Sequence, residues 1–325
     1  MTFDDLILGG AEAVEDSRAR LNAELVADVR GRAGIVPSSV RRRAGALMTR
    51  SIKKESQAAM LDLIIGCVDL TTLEGIDTRE RIKRLVLKGI NPDSEDVGCP
   101  SVGAICVEPD RVGMAREVLD AHGGGHVGLA SVAWAFPAGR TTRDLAVAEI
   151  EKCVAVGASE IDIVIDRAKV LSGDWLGVVV DVALAKTACG EAHLKVILET
   201  GELGSMEMIA VASWLAIMGG ADFIKTSTGK VSVGATPEAL LIMARIAKRA
   251  EGELGRSIGI KASGGVSSAA TALRYGLLVE ETRGAGSVTP ETFRVGASSL
   301  LNDLVAQRRH LMLGRYFDTD SFSVA

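Results

Sequence analysis

Short apolar runs rich in β-branched residues alternate along this chain with longer segments whose apolar positions recur every three or four residues. The runs fall at residues 61–69, 103–107, 127–134, 160–165, 193–199, 221–225, 258–261 and 293–297. Apolar runs of this length, bounded by turn residues, read as strands buried on both faces. The segments between them read as helices, among them 141–156 and 237–250. The second has Thr236 as its N-cap and Pro237 at its first helical position. Eight strand–helix units at intervals of roughly 30 residues predict an α/β fold, a (β/α)8 TIM barrel around a parallel sheet. An open doubly wound sheet is the alternative, and eight units favour closure.

Residues 1–50 break the pattern. They carry mixed charges, with Leu21, Leu25 and Val29 at helical spacing, and are read as an N-terminal helical arm packed against a barrel end. The basic cluster Arg41, Arg42, Arg43, Arg50, Lys53 and Lys54 is read as a solvated helix face rather than a contact for acidic partners. Residues 51–325 form the barrel and a C-terminal tail, with no linker or low-complexity tract to divide them. In a chain of 325 residues, 47% apolar and 24% charged residues describe an ordinary globular protein. The net charge of -5 argues against non-specific nucleic-acid binding. Five scattered cysteines without a C-x-x-C pair suit reduced thiols, and the acidic N-terminus lacks the marks of a signal peptide. The longest apolar stretch, 208–218, is interrupted by Ser213 and too short to span a bilayer. The expectation is a soluble cytoplasmic protein with no membrane or nucleic-acid partner.

The candidate chemistry gathers at strand ends, where barrels of this kind carry their sites. Run six ends in Lys225, followed by Thr226-Ser227-Thr228-Gly229-Lys230. A buried amine beside other cations favours its neutral form, which attacks a carbonyl to make a Schiff base. Alone, this stretch fits equally a strand-capping lysine whose amine reaches water. The neighbouring runs bring Lys195 and Lys261, and two acids, Asp69 and Asp162, stand on other strands. A second ammonium about 6 Å from Lys225 would destabilise its charged form by roughly 2–3 kcal/mol, about two pKa units.

Gly264-Gly265 follows run seven, and Ser298-Ser299 follows run eight and opens a helical pattern. Loops in these two places commonly hold a phosphate, and Gly229-Lys230 adds a third element. The histidines His122, His126, His193 and His310 show no metal-ligand spacing.

These residues resemble the deoxyribose-phosphate aldolase family of Schiff-base (class I) aldolases, in its longer form. The resemblance is carried by Asp69-Leu70-Thr71-Thr72-Leu73, Ala104-Ile105-Cys106-Val107, Phe136-Pro137-Ala138-Gly139 and Glu160-Ile161-Asp162. It continues through the segment from Leu194-Lys195 to Gly201-Glu202, then Lys225 to Lys230, Lys261-Ala262-Ser263-Gly264-Gly265-Val266 and Gly296-Ala297-Ser298-Ser299-Leu300-Leu301. By that resemblance Lys225 forms the Schiff base, Lys261 tunes it, and Asp162 relays protons. Asp69 and Thr71 contact the substrate, Cys106 is a pocket thiol and Lys195 lies near the site. Gly229, Lys230, Gly264, Gly265, Ser298 and Ser299 hold the 5-phosphate. The implied reaction is reversible cleavage of 2-deoxy-D-ribose 5-phosphate to D-glyceraldehyde 3-phosphate and acetaldehyde, without metal or organic cofactor. It belongs to deoxyribonucleotide and carbohydrate breakdown, and the expected assembly is a homo-oligomer, a dimer first. Many members end in a tyrosine that reaches the site; here only Tyr316 lies near the C-terminus. Another class I aldolase or transaldolase-like enzyme, a phosphosugar-binding barrel without turnover, and a pyridoxal-phosphate enzyme are the competing readings.

Overall fold

A computed structural model describes residues 13–50, 54–315 and 317. Its strands are β1 (Val68–Thr71), β2 (Ala104–Val107), β3 (Gly128–Val132), β4 (Glu160–Val164), β5 (His193–Ile197), β6 (Phe223–Lys225), β7 (Gly259–Ser263) and β8 (Phe293–Ala297). All pair in parallel with their sequence neighbours, and β8 returns to β1 to close the barrel. Each strand is followed by helix: α4 (Arg79–Ile90), α5 (Val112–Ala121), α6 (Arg143–Ala155), the pair α7 (Arg167–Ser172) and α8 (Trp175–Cys189), α9 (Met206–Met218), α10 (Pro237–Leu254), α11 (Ala269–Arg283) and α12 (Leu300–Leu313). The closed barrel is the architecture expected from the eight repeating units.

Alternate residues of a strand point to opposite faces, so each strand divides its side chains between the helices and the barrel interior. The outward set, including Ile105, Leu129, Ile161, Val196, Ile224 and Ile260, joins the main apolar core with the inner faces of the helices. The inward set is different in kind. It includes the buried charges Asp69, Glu160, Asp162, Lys195, Lys225, Lys261 and Arg294, beside a small apolar patch of Cys106, Ala130 and Val132. Strand register pairs Asp162 with Lys195, Lys225 with Lys261, and Lys261 with Arg294. The fold thereby carries its stabilising burial outside the barrel and its chemistry within.

The first apolar run is mostly helical. Helix α3 (Lys54–Gly66) occupies its N-terminal part, and β1 begins only at Val68. Leu61, Ile64 and Ile65 are buried at i, i+3 and i+4, a helical spacing hidden inside a continuous apolar run. Gly276 of α11 leaves room for Ile64, since a Cβ there would lie 2.9 Å from its Cδ1. Helix α10 starts as expected, with the Thr236 hydroxyl accepting from the Ala239 amide, and runs on to a left-handed cap at Gly255.

Helices α1 (Ala13–Arg32) and α2 (Pro37–Met48) precede α3. They lie along the outer wall of the barrel rather than across an end, α1 against α8 and α9 and α2 against α10 and α11. The Asn22 side chain donates to Gly173 O and accepts from Leu176 N at the start of α8. At its far end α1 stacks the Arg32 guanidinium on Trp214, 5.5 Å from the ring centre. Arg41, Arg42 and Arg43 are exposed, and Arg43 and Arg50 both face Glu281. Lys53 and Tyr316 lie outside the described residues. Among the described residues, no helix is long and apolar enough to cross a membrane.

Candidate active site

Inside the barrel, two inward positions on β4 and one each on β1, β5, β6, β7 and β8 converge on a single ion network. Lys225 Nζ donates to Asp162 Oδ2 at 2.7 Å, and Lys261 Nζ donates to the same oxygen at 2.8 Å. Lys195 Nζ reaches Asp162 Oδ1 at 3.1 Å, is bonded to Glu160, and stands 3.5 Å from Asp69. Lys261 also pairs with Asp69 at 2.5 Å. Below them Arg294 bridges Asp69 Oδ1 at 2.6 Å and Glu160 Oε1 at 2.9 Å. Gly296 makes this possible: a Cβ there would lie 2.9 Å from Lys261 Cε and 3.0 Å from Ser263 Cβ.

These groups are buried, so neighbouring charges weigh heavily on their protonation. Burial pushes the Asp162 carboxyl up, but the ammoniums of Lys195, Lys225 and Lys261 outweigh it and hold the group well below the usual carboxylate range. Asp69 is lowered likewise, Lys261, Lys195 and Arg294 overcoming its burial. Lys261 and Lys195 are each drawn above the ordinary lysine value by their carboxylates in spite of burial. Lys225 alone of the three is lowered, because burial and the Lys261 charge outweigh Asp162. Burial raises the Cys106 thiol to about 11.

Above the network a cleft of about 500 Å³ opens at the C-terminal ends of the strands. Of the three lysines in the network, Lys225 is the one that lines it. An amine so placed, biased toward its neutral form and open to solvent on one side, can attack a carbonyl carbon. Gly229, Lys230, Gly264, Gly265, Ser298 and Ser299 line the same cleft and come from the three loops expected to meet there. Gly264 and Gly265 have φ of 84° and 76°, and Gly264 packs so closely on Gly234 that a Cβ would fall 2.8 Å from its Cα. Only glycine fits such a turn without strain. Ser299 caps α12 with no side-chain bond, leaving the first amides of that helix open to an anion.

Asp69, Cys106 and Lys195, expected at the substrate, do not line the cleft. Asp69 and Lys195 are fully buried within the ion network, and Cys106 packs with Ala130 and Val132. Each stands on an inward strand position, with Asp69 and Lys195 engaged by ion partners and Cys106 by apolar neighbours. Thr71 lines the cleft, with its hydroxyl donating to Asp69 O at 2.8 Å. Lys230 bonds Leu73 O at 2.9 Å and Glu74 Oε1 at 3.0 Å, spanning the cleft mouth.

Sequence reading gave no role to Glu160 or Glu199, which it met only inside motifs, and did not single out Arg294 or Glu74. Glu160 stands two residues before Asp162, and Arg294 two before Gly296, so strand alternation alone could have put both inside. Glu199 has φ of 53°, and its carboxylate accepts from Thr228 Oγ1 at 2.5 Å. Thr228 Oγ1 in turn accepts from Lys230 N at 3.0 Å, so this strained glutamate shapes the loop that carries Lys230.

The family model described as DeoC/LacD family aldolase matches residues 63–305. A deoxyribose-phosphate aldolase of Mus musculus is 43% identical over 291 residues, spanning 86% of this chain and 90% of that one. Among solved structures, QR15, an aldolase, superposes with a TM-score of 0.61 at 30% identity, covering 77% of this chain and 98% of its own. A deoxyribose phosphate aldolase from Aeropyrum pernix, described as tetrameric, gives a TM-score of 0.60 at 25% identity over 80% of this chain and 99% of its own. The barrel, the cleft and these matches agree, and the chain belongs to the DeoC/LacD family of aldolases.

Proposed function

We propose that this protein is a deoxyribose-phosphate aldolase, cleaving 2-deoxy-D-ribose 5-phosphate reversibly to D-glyceraldehyde 3-phosphate and acetaldehyde through an imine on Lys225. The observation that carries the reading is the position of Lys225, open to the cleft on one side and hydrogen-bonded on the other to a carboxylate shared with Lys261.

In this reading the neutral Lys225 amine adds to the C1 aldehyde of the open-chain sugar, and the carbinolamine loses water to give an iminium ion. A proton leaves the C3 hydroxyl, the C2–C3 bond breaks, and its electrons enter the iminium as an enamine while glyceraldehyde 3-phosphate departs. The enamine takes a proton at its terminal carbon, and water then releases acetaldehyde and restores the amine. Asp162 is the carboxylate that relays protons during C2–C3 cleavage, and Lys261 keeps it ionised. Positioned acid–base groups of this kind contribute about 10²–10⁴ in rate. The phosphate lies against Gly264, Gly265, Ser298 and Ser299, with Lys230 leaving Glu74 to meet it. Asp69 and Lys195 serve from below, fixing Lys261 and Asp162, and Cys106 is a neutral neighbour of the ion network.

A homo-oligomer in the cytoplasm is the expected state. The tetrameric description of the Aeropyrum pernix protein stands beside the dimer expectation, and sedimentation analysis separates the two. The enzymatic reading is tested by coupled assay of acetaldehyde release from deoxyribose 5-phosphate. Lys225→Arg keeps a positive charge and cannot form a productive imine, so turnover falls to background. A folded Lys225→Arg variant with a tenth or more of wild-type turnover contradicts the assignment.

A further inference from the structure

The ion network holds unequal numbers of opposite charges. Its possible cations are Lys195, Lys225, Lys261 and Arg294, and its anions are Asp69, Glu160 and Asp162. Fully ionised, the cluster carries one uncompensated positive charge where every member is buried. Such a charge is unfavourable in a poorly polarisable interior, and the cluster sheds it most easily by losing one proton. Arginine cannot supply that proton. Lys195 faces three carboxylates and Lys261 two, whereas Lys225 has only Asp162, which it shares with both. The proton therefore comes from Lys225.

We infer that Arg294 and Glu160, which neither line the cleft nor bond Lys225, are positioning residues whose opposed charges set the protonation of Lys225 from one layer below. Arg294 supplies the permanent positive charge that creates the excess, and Glu160 limits that excess to one. Both also fix geometry, since Arg294 aims Asp69 at Lys261, and Glu160 anchors Lys195. The other groups facing Lys225 are Asp162 on β4, Lys261 on β7 and the Cys106 thiol on β2. On the cleft side the Lys230–Glu74 and Arg81–Asp77 pairs are each internally compensated. None of these can replace Arg294, because each is already counted or neutral.

The inference rests on Lys225 being the imine-forming amine, and its test separates the two claims. Arg294→Gln leaves three lysines against three carboxylates, so Lys225 keeps its proton longer. The acid limb of the kcat/KM profile moves up by about one pH unit. Arg294→Lys restores the limb toward wild type. The decisive variant is the double, Arg294→Gln with Glu160→Gln, which again has one excess positive charge. Its limb returns toward wild type, whereas a merely structural role makes the double variant as impaired as the single one or worse. An unshifted limb in folded Arg294→Gln, or a limb in the double variant no lower than in the single, overturns the inference. If Arg294→Gln does not fold, adding it to Glu160→Gln provides the same comparison: the limb must rise, and no rise overturns the inference. Borohydride reduction with acetaldehyde accompanies each profile. Label on Lys225 with an unmoved limb defeats the charge-balance claim alone, and label elsewhere defeats the functional reading beneath it.

Discussion

Lys225 and Lys261 share one carboxylate oxygen, Asp162 Oδ2, at 2.7 and 2.8 Å. Two ammoniums on one acceptor oppose each other, and the one with fewer other partners yields. Lys261 has Asp69 as a second partner and stays charged, and Lys225 has none and is lowered. Lys261→Leu removes the opposing charge and leaves more of Asp162 to Lys225, so the Lys225 pKa rises. A lysine is nucleophilic only above its own pKa, so activity near neutrality falls and partly returns as the pH is raised. The pH profile of kcat/KM, with circular dichroism to verify folding, checks this; an unmoved acid limb contradicts it.

Asp162→Asn separates imine formation from proton relay. The neutral amide leaves the three lysines facing fewer negative charges, which favours the neutral form of Lys225 but destabilises the fold by roughly 3–5 kcal/mol. Acetaldehyde is still trapped on Lys225 by borohydride, whereas cleavage of deoxyribose 5-phosphate drops by about 10²–10⁴. Equal losses in trapping and cleavage contradict a relay role.

Much of this site could be read along the chain, and the parts that could not have a common cause. The lysines of β5, β6 and β7 stood out because a cation inside an apolar β-branched run has few structural excuses. Glu160 and Arg294 did not, because each lies at or next to the start of its strand, where a charge ordinarily meets water. Only the closure of β8 on β1 brings Arg294 to Asp69, and only the barrel interior brings it to Glu160. Glu74 was hidden for a similar reason, since its partner Lys230 is 156 residues away across the cleft. The helical part of the first run was misread because a buried helix and a buried strand are both continuously apolar.

Phosphate recognition is tested with Ser298→Glu, which puts a carboxylate on the cleft wall near the start of α12. KM for deoxyribose 5-phosphate rises at least about 100-fold, in line with like-charge repulsion in a partly buried site, and unphosphorylated deoxyribose is little affected. Equal losses on both substrates point instead to a misplaced site.

If Lys230 binds the phosphate as proposed, Glu74 competes with the substrate for it. The pair is largely exposed, and such pairs contribute about 0–1 kcal/mol, so Glu74→Gln lowers KM for the phosphorylated sugar by no more than roughly fivefold. The gain shrinks as salt is added, because screening weakens the original pair as well. Steady-state kinetics at low and high ionic strength give the answer, and a rise in KM means that Glu74 helps to place Lys230 instead of occupying it.

The central claim, that one buried lysine open to the cleft forms a covalent imine, is tested most directly by borohydride reduction in the presence of acetaldehyde, followed by peptide mass mapping. Reduction of the imine adds an ethyl group to one lysine. The account predicts that mass on Lys225, and its loss in Lys225→Arg. A labelled Lys261 or Lys195, or a fully active enzyme that takes up no label, contradicts it.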